Sequence, residues 1–132
     1  MTQKTIQIAV DGPAGAGKST AAKMLARTLG CLYLDTGAMY RAVTLGVLDS
    51  GTDLTDPQAI ARQASRCSVD FGQDGRVLLN GKDVEDEIRT SRVARHTSDV
   101  APVPEVRSQL TDQMRRIAGD RTVIMDGRDI GS

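Results

Sequence analysis

Apolar residues recur along the chain in short blocks, and the polar residues between them set the period. Ile6-Gln7-Ile8-Ala9-Val10 is a brief, partly β-branched stretch that reads as a buried strand. Ala21 to Leu29 carries apolar residues at helical spacing and stops at Gly30, a natural C′ residue, which predicts a helix from near Lys18. Cys31-Leu32-Tyr33-Leu34 predicts a second buried strand, ending on Asp35. From Gly37 a second helix, about Ala38 to Leu48, has Met39, Ala42, Val43, Leu45 and Gly46 among its inward residues and closes at Ser50-Gly51. Thr55-Asp56-Pro57 is a helix start, with Asp56 or Thr55 as cap and Pro57 in the first turn, leading to a short helix through about Ser65.

The pattern then changes. Ser68-Val69-Asp70-Phe71 and Arg76-Val77-Leu78-Leu79 are strand-like runs, each followed by turn residues ending in glycine, Gln73-Asp74-Gly75 and Asn80-Gly81. That is the signature of a small antiparallel hairpin or three-stranded meander. Glu85 to Thr97 reads as one charged helix, Ala101-Pro102-Val103-Pro104 breaks it, and a longer helix follows from Pro104 to about Ala118, ended by Gly119-Asp120. Thr122-Val123-Ile124-Met125 is a third buried-strand run and leads directly into Asp126-Gly127-Arg128-Asp129. Strand, loop, helix and strand make an α/β class: a parallel sheet flanked by helices, carrying a small antiparallel insertion. No repeat or long linker divides residues 1–132, so one domain is expected, with 1–50 and 119–132 as its core and 51–118 as the inserted region. The chain stops at Ser132, just past a strand that should feed another crossover, so a C-terminally truncated fold is expected.

Composition narrows the partners. Lys+Arg and Asp+Glu are equal at 17 each, leaving no global field to attract nucleic acid or an anionic membrane. Thirteen of the 17 cations are arginine, a bias toward forked recognition of phosphate or carboxylate that an overall preference for arginine also explains in large part. Cys31 and Cys67 lie far apart with no histidine pair beside them, so neither a zinc site nor a disulfide is suggested. His96, the single histidine, fits a surface or packing role. No apolar run approaches the roughly 20 residues of a membrane span, and the first residues lack a signal peptide's apolar core, so a cytoplasmic location is expected, with no obligate protein partner evident.

The candidate chemistry begins at Gly12-Pro13-Ala14-Gly15-Ala16-Gly17-Lys18-Ser19, which fits Gly-x-x-x-x-Gly-Lys-Ser/Thr between a predicted strand and a predicted helix. Glycines at 12, 15 and 17 let the backbone turn tightly and aim its N–H groups inward, making a nest for phosphate oxygens at a helix N-terminus. Lys18 is expected to reach the β and γ phosphates and Ser19 to hold Mg²⁺, with Thr20 as a neighbouring hydroxyl near the α phosphate. Two further polar clusters, Asp35-Thr36-Gly37-Ala38-Met39-Tyr40-Arg41 and Asp126-Gly127-Arg128-Asp129, follow strands whose carboxyl ends should share one edge. A carboxylate at the end of a third strand after a phosphate loop is a usual metal-water ligand, which makes Asp126 or Asp129 a candidate for orienting Mg²⁺, although an Asp-Gly turn after a strand is commonplace.

With these motifs the chain resembles the bacterial cytidylate kinases, nucleoside monophosphate kinases that phosphorylate CMP and dCMP with ATP. The resemblance rests on Ile8 to Thr20, Leu34 to Arg41, Glu87-Ile88-Arg89-Thr90, Ser98-Asp99-Val100-Ala101, Pro104-Glu105-Val106-Arg107 and Asp126 to Gly131, which run in the family's order from one end of the chain to the other. It implies a P-loop NTPase fold, Mg²⁺ with ATP as co-substrate, and an acceptor-binding region within 51–118. It also implies roles: Arg41 and Arg128 forking onto the CMP phosphate, Ser98 and Arg107 reading cytosine, and Asp35 and Thr36 beside the acceptor. Complete members continue with further strands, a lid and a C-terminal helix. Two other readings remain open, a P-loop kinase with a different small-molecule acceptor and a nucleotide-binding module without turnover.

Overall fold

The computed structural model describes residues 7–10, 24–25, 27–30, 32–72, 75–119 and 123–126. In chain order the elements are β1 (Gln7–Val10), β2 (Leu32–Asp35), α1 (Thr36–Asp49), α2 (Pro57–Ala64), β3 (Val69–Phe71), β4 (Val77–Leu79), β5 (Lys82–Asp83), a 3₁₀ turn (Glu87–Arg89), α3 (Ser91–Val100), α4 (Pro104–Ala118) and β6 (Val123–Asp126). They divide into two compact units, Met1–Gly37 with Met114–Ser132, and Ala38–Gln113.

The first unit contains a three-stranded sheet in the order β1-β6-β2. The last of the described strands is the middle one, pairing in parallel with β1 (Gln7 opposite Val123) and with β2 (Leu32 opposite Val123). Parallel neighbours need a crossover, and here residues 36–122 form the one between β2 and β6. Residues 24, 25 and 27–29 are helical, and Gly30 ends that helix with φ +69°, its N–H donating to Arg27 O at 3.3 Å. The apolar side chains of Met24, Leu25 and Leu29 are exposed.

In the second unit the core is aliphatic. Met39, Val43 and Val47 of α1, Ile60 of α2, Val69 of β3, Val77 of β4, Val93 of α3 and Leu110 of α4 are all fully buried. Helix α1 starts on Thr36, directly after β2 and two residues before the expected Ala38. Because it is apolar on nearly every side, it is buried on nearly every side, including Thr44, whose hydroxyl is satisfied by donating to Tyr40 O at 2.8 Å. Its end is a Schellman closure: Gly51, with φ +74°, donates to Leu48 O at 3.1 Å and Thr52 donates to Val47 O at 3.3 Å. Asp56, rather than Thr55, caps α2, accepting from Gln58 N and Ala59 N, with Pro57 at the first helical position.

The insertion is a three-stranded antiparallel meander, β3-β4-β5, with Val69 opposite Leu79 and Leu78 opposite Asp83. Asn80 (φ 51°) and Gly81 (φ +84°) make the β4–β5 turn, both in the left-handed region that Asn-Gly tolerates. Asn80 is tied back further, since its Oδ1 accepts from Ser68 N at 2.8 Å.

The single helix expected over Glu85–Thr97 is corrected. A 3₁₀ turn at Glu87–Arg89 is separated from α3 by Thr90, which is extended at φ −77°, ψ 157°. Thr90 Oγ1 accepts from Val93 N and donates to Glu87 O, so it caps one element and closes the other. Glu85, meanwhile, is drawn toward the meander, its Oε1 accepting from Val77 N at 3.4 Å. A hydroxyl able to serve both neighbours makes the break cheaper than a continuous charged helix. At the other end α3 continues to Val100, and Ala101, its C-cap, keeps helical backbone (φ −59°, ψ −35°) directly before Pro102.

Cys67 is buried at 2% exposure, beside α1, and its Sγ lies 3.4 Å from Gln63 O. Burial pushes its thiol above the usual range. The unfolded thiol therefore ionises first, and the folded state loses stability as pH rises from the ordinary thiol value toward the raised one. Brief iodoacetamide treatment at pH 8 followed by peptide mapping is expected to leave Cys67 unmodified in the folded chain and modified in urea. Equal labelling in both would contradict its burial. Cys31 lies outside the described residues.

Candidate functional site

Parallel strands present their carboxyl ends together only if they end level, and these do. Val10, Asp126 and Asp35 are Cα partners across β1, β6 and β2, and they are the last residues of their strands. The segments that leave this row are the three singled out by their chemistry: the one that enters Gly12–Ser19, the one that enters Gly127–Asp129, and Thr36 at the start of α1. Asp35 is half-buried and Thr36 is buried at 7% exposure. Two carboxylate residues on adjacent strand ends are hard oxygen donors of the class that Mg²⁺ prefers, and in donor chemistry the row fits that ion. Among the described residues no group of three or more His, Cys, Asp or Glu forms a metal cluster. The expected phosphate-loop residues Gly12, Pro13, Ala14, Gly15, Ala16, Gly17, Lys18, Ser19 and Thr20, and the expected Arg128 and Asp129, lie outside the described residues.

Within the second unit, Arg41 sits in the second turn of α1, half-buried, with no carboxylate partner among the described residues. Ser98 lies in the last turn of α3 and Arg107 in the first turn of α4, both exposed. The corner between these helices is tight: Ala101 N donates to Thr97 O at 2.8 Å and Val103 N to Val100 O at 3.2 Å, and α4 opens with Arg107 N donating to Val103 O at 3.2 Å. Ser98 and Arg107 therefore flank one corner of the backbone.

Three other arginines of this unit pair with carboxylates. Arg76 Nε lies 2.6 Å from Asp83 Oδ2, Arg89 Nε 2.8 Å from Glu85 Oε2, and Arg92 Nη2 3.1 Å from Asp49 Oδ1. The Arg76 bond, followed by the Glu85 N–H, holds the Asp83 carboxyl below the usual carboxylate range. These are solvent-screened pairs that contribute little each; only Arg76–Asp83 lies within the meander. His96 Nδ1 faces Asp99 Oδ2 at 3.2 Å on the same helix, a surface pairing.

Two residues carry geometry that the periodicity did not single out. Gln113, 9% exposed, accepts from Val69 N through Oε1 at 2.6 Å and donates from Nε2 to Cys67 O at 3.1 Å. Gln109 Nε2 donates to Ala64 O at 2.6 Å. A signal existed: Gln113 continues the buried seam of α4, three residues after Leu110, where an apolar residue would be the ordinary choice.

A family model of cytidylate kinases matches residues 8–132. The chain belongs to the cytidylate kinase family. Over 132 residues it is 50% identical to the cytidylate kinase of Limosilactobacillus reuteri (strain DSM 20016), covering 98% of this chain and 58% of that protein. It is likewise 50% identical over 132 residues to the cytidylate kinase of Caldanaerobacter subterraneus subsp. tengcongensis, covering 100% of this chain and 58% of the relative. The cytidylate kinase of Mycolicibacterium paratuberculosis is 50% identical over 131 residues, again with 58% of its length covered. The chain thus spans about 58% of the length of these cytidylate kinases. Cytidylate kinase membership implies a P-loop NTPase fold. Among the described residues no helix is long and apolar enough to cross a membrane.

Proposed function

We propose that residues 1–132 form one P-loop kinase domain of a cytoplasmic cytidylate kinase, whose reaction moves the γ-phosphoryl group of Mg·ATP to CMP or dCMP. The observation that carries this reading is the family match over 8–132 at about half identity. The level strand ends at Val10, Asp126 and Asp35 support it by giving the three polar segments a common origin. In this reading 51–118 is the acceptor-binding region, and the core of the sheet carries ATP.

The chemistry needs no covalent enzyme intermediate. An oxygen of the CMP phosphate attacks the γ phosphorus, the bond from that phosphorus to the β–γ bridging oxygen breaks, and the products are CDP and ADP. Two anions must approach each other, so the protein's task is alignment and neutralisation. The backbone N–H groups of Gly12–Ser19 and the Lys18 ammonium cradle the ATP phosphates. Arg41 and Arg128 fork onto the acceptor phosphate and hold its oxygen in line. Ser98 and Arg107 hydrogen-bond the cytosine edge, with Asp35 and Thr36 beside the acceptor. Ser19, with Asp126 or Asp129 through water, would hold Mg²⁺, which when bound offsets charge on the β and γ oxygens. A base lacking cytosine's donor and acceptor pattern leaves these polar groups unpaired, and that penalty is the source of selectivity.

Titration of the chain with CMP and UMP, followed by ADP release from Mg·ATP with and without CMP, tests the reading. CMP is expected to bind more tightly than UMP, and Arg41→Ala to weaken CMP by at least about tenfold, the loss of a charge-assisted fork. Binding of neither nucleotide, or stimulation of ADP release by a different acceptor alone, would overturn it. CMP binding without CMP-dependent release would make the chain a nucleotide-binding module.

A further inference from the structure

We infer that Gln113, assisted by Gln109, is a positioning residue for acceptor recognition: its amide fixes the rotation and register of α4 against β3, and with them the place of Arg107. The inference rests on the reading above, in which Arg107 contacts the acceptor base.

The amide bonds in only one orientation. Oε1 must face the Val69 N–H (2.6 Å) while Nε2 faces Cys67 O (3.1 Å), so a flipped amide or a shifted helix loses both bonds at once. Gln109, one turn earlier, adds a bond to Ala64 O at 2.6 Å, at the end of α2. The remainder of that face of α4 is apolar, with Val106 and Leu110 fully buried. Apolar contact is non-directional and tolerates sliding, whereas a single buried polar residue in an apolar seam is the best-attested device for fixing register. Arg107 lies six residues upstream on the same helix, roughly 9 Å along its axis. A rotation of the helix released at position 113 therefore moves position 107 with it.

The test compares CMP and UMP dissociation constants for the unaltered chain, Gln113→Glu, Gln113→Leu and Gln109→Ala, with helicity followed by circular dichroism. Gln113→Glu keeps the acceptor for Val69 N–H and loses the donor to Cys67 O; Gln109→Ala is the milder change should the buried variants fail to fold. Leu110→Ala, which loosens the same helix but leaves both amides in place, is the control for stability alone. CMP affinity is expected to fall about fivefold to tenfold in the glutamine variants, and the preference for CMP over UMP to collapse with it, while Leu110→Ala keeps that preference. Reciprocity adds a second readout: CMP must slow hydrogen exchange at the Val69 amide. An unchanged CMP:UMP ratio in the glutamine variants, or an equal loss in Leu110→Ala, overturns the inference alone. Failure of the unaltered chain to bind CMP overturns the acceptor reading and this inference together.

Discussion

Lys18→Ala is expected to remove CMP-dependent ADP release, by about a hundredfold or more, while CMP affinity stays within about twofold. Lys18 lies outside the described residues, and its proposed part in transfer follows from its place in Gly12–Ser19. An ammonium at the β and γ phosphates gains most when negative charge builds on the oxygen that leaves, so its loss falls on the transfer step. In the proposed reading the acceptor phosphate is held by other groups, Arg41 and Arg128, and Arg41 sits on a helix that begins only after β2, remote in sequence from the phosphate loop. Calorimetric titration with CMP separates the two contributions from an ADP-release assay on the same preparation. Loss of CMP affinity in parallel with turnover would sink this division, because it would show that donor and acceptor subsites are not held by separate residues.

The level strand ends explain why so much of the candidate site was legible. Apolar runs at 6–10, 31–34 and 122–125 were enough to find β1, β2 and β6, and the polar residues after each run were therefore suspect before any geometry was known. Strand order was not legible, because pairing between Leu32 and Val123 joins residues far apart in sequence and no local period encodes it. Short-range signals held where one residue type was needed: Asn80-Gly81 at the hairpin turn, Gly51 at the end of α1, and Asp56-Pro57 at the start of α2. The charged segment 85–97 misled because Thr90 has an ordinary helix propensity yet a strong capping alternative, and the choice is made by Glu85 bonding back to β4, a tertiary effect. Ser98 and Arg107 carry no periodic signal as exposed residues, and the roles proposed for them rest on the family resemblance. Gln113 gives little signal in the sequence because a single glutamine in a helix is usually solvent-facing, and only its backbone partners reveal otherwise.

Gly46→Ala is expected to destabilise the fold by about 1–3 kcal/mol, although alanine is the better helix former by up to about 1 kcal/mol. A Cβ on Gly46 would stand 2.6 Å from Cys67 Sγ and 3.5 Å from Leu79 Cδ2. The first distance is shorter than a carbon and a sulfur can share, so something must move. Cys67 is poorly placed to do so: it is buried, its side chain has a single rotatable bond, and its Sγ lies near Gln63 O at 3.4 Å. Leu79 belongs to the strand whose partner is β3, and pushing it outward would disturb the pairing of Val69 with Leu79. The missing side chain is therefore what lets α1 approach the meander closely, and α1 is the helix that carries Arg41. Urea denaturation of Gly46→Ala, Cys67→Ala and the double variant reads the contact directly. Cys67→Ala alone should lose about 1 kcal/mol for its small cavity, and the double variant should recover at least about 1 kcal/mol of the summed loss, since the alanine at 46 then fills the space the thiol vacates. Strict additivity, or a Gly46→Ala chain more stable than the original, would mean that the helix and the meander have room between them, and that glycine at position 46 has no packing reason.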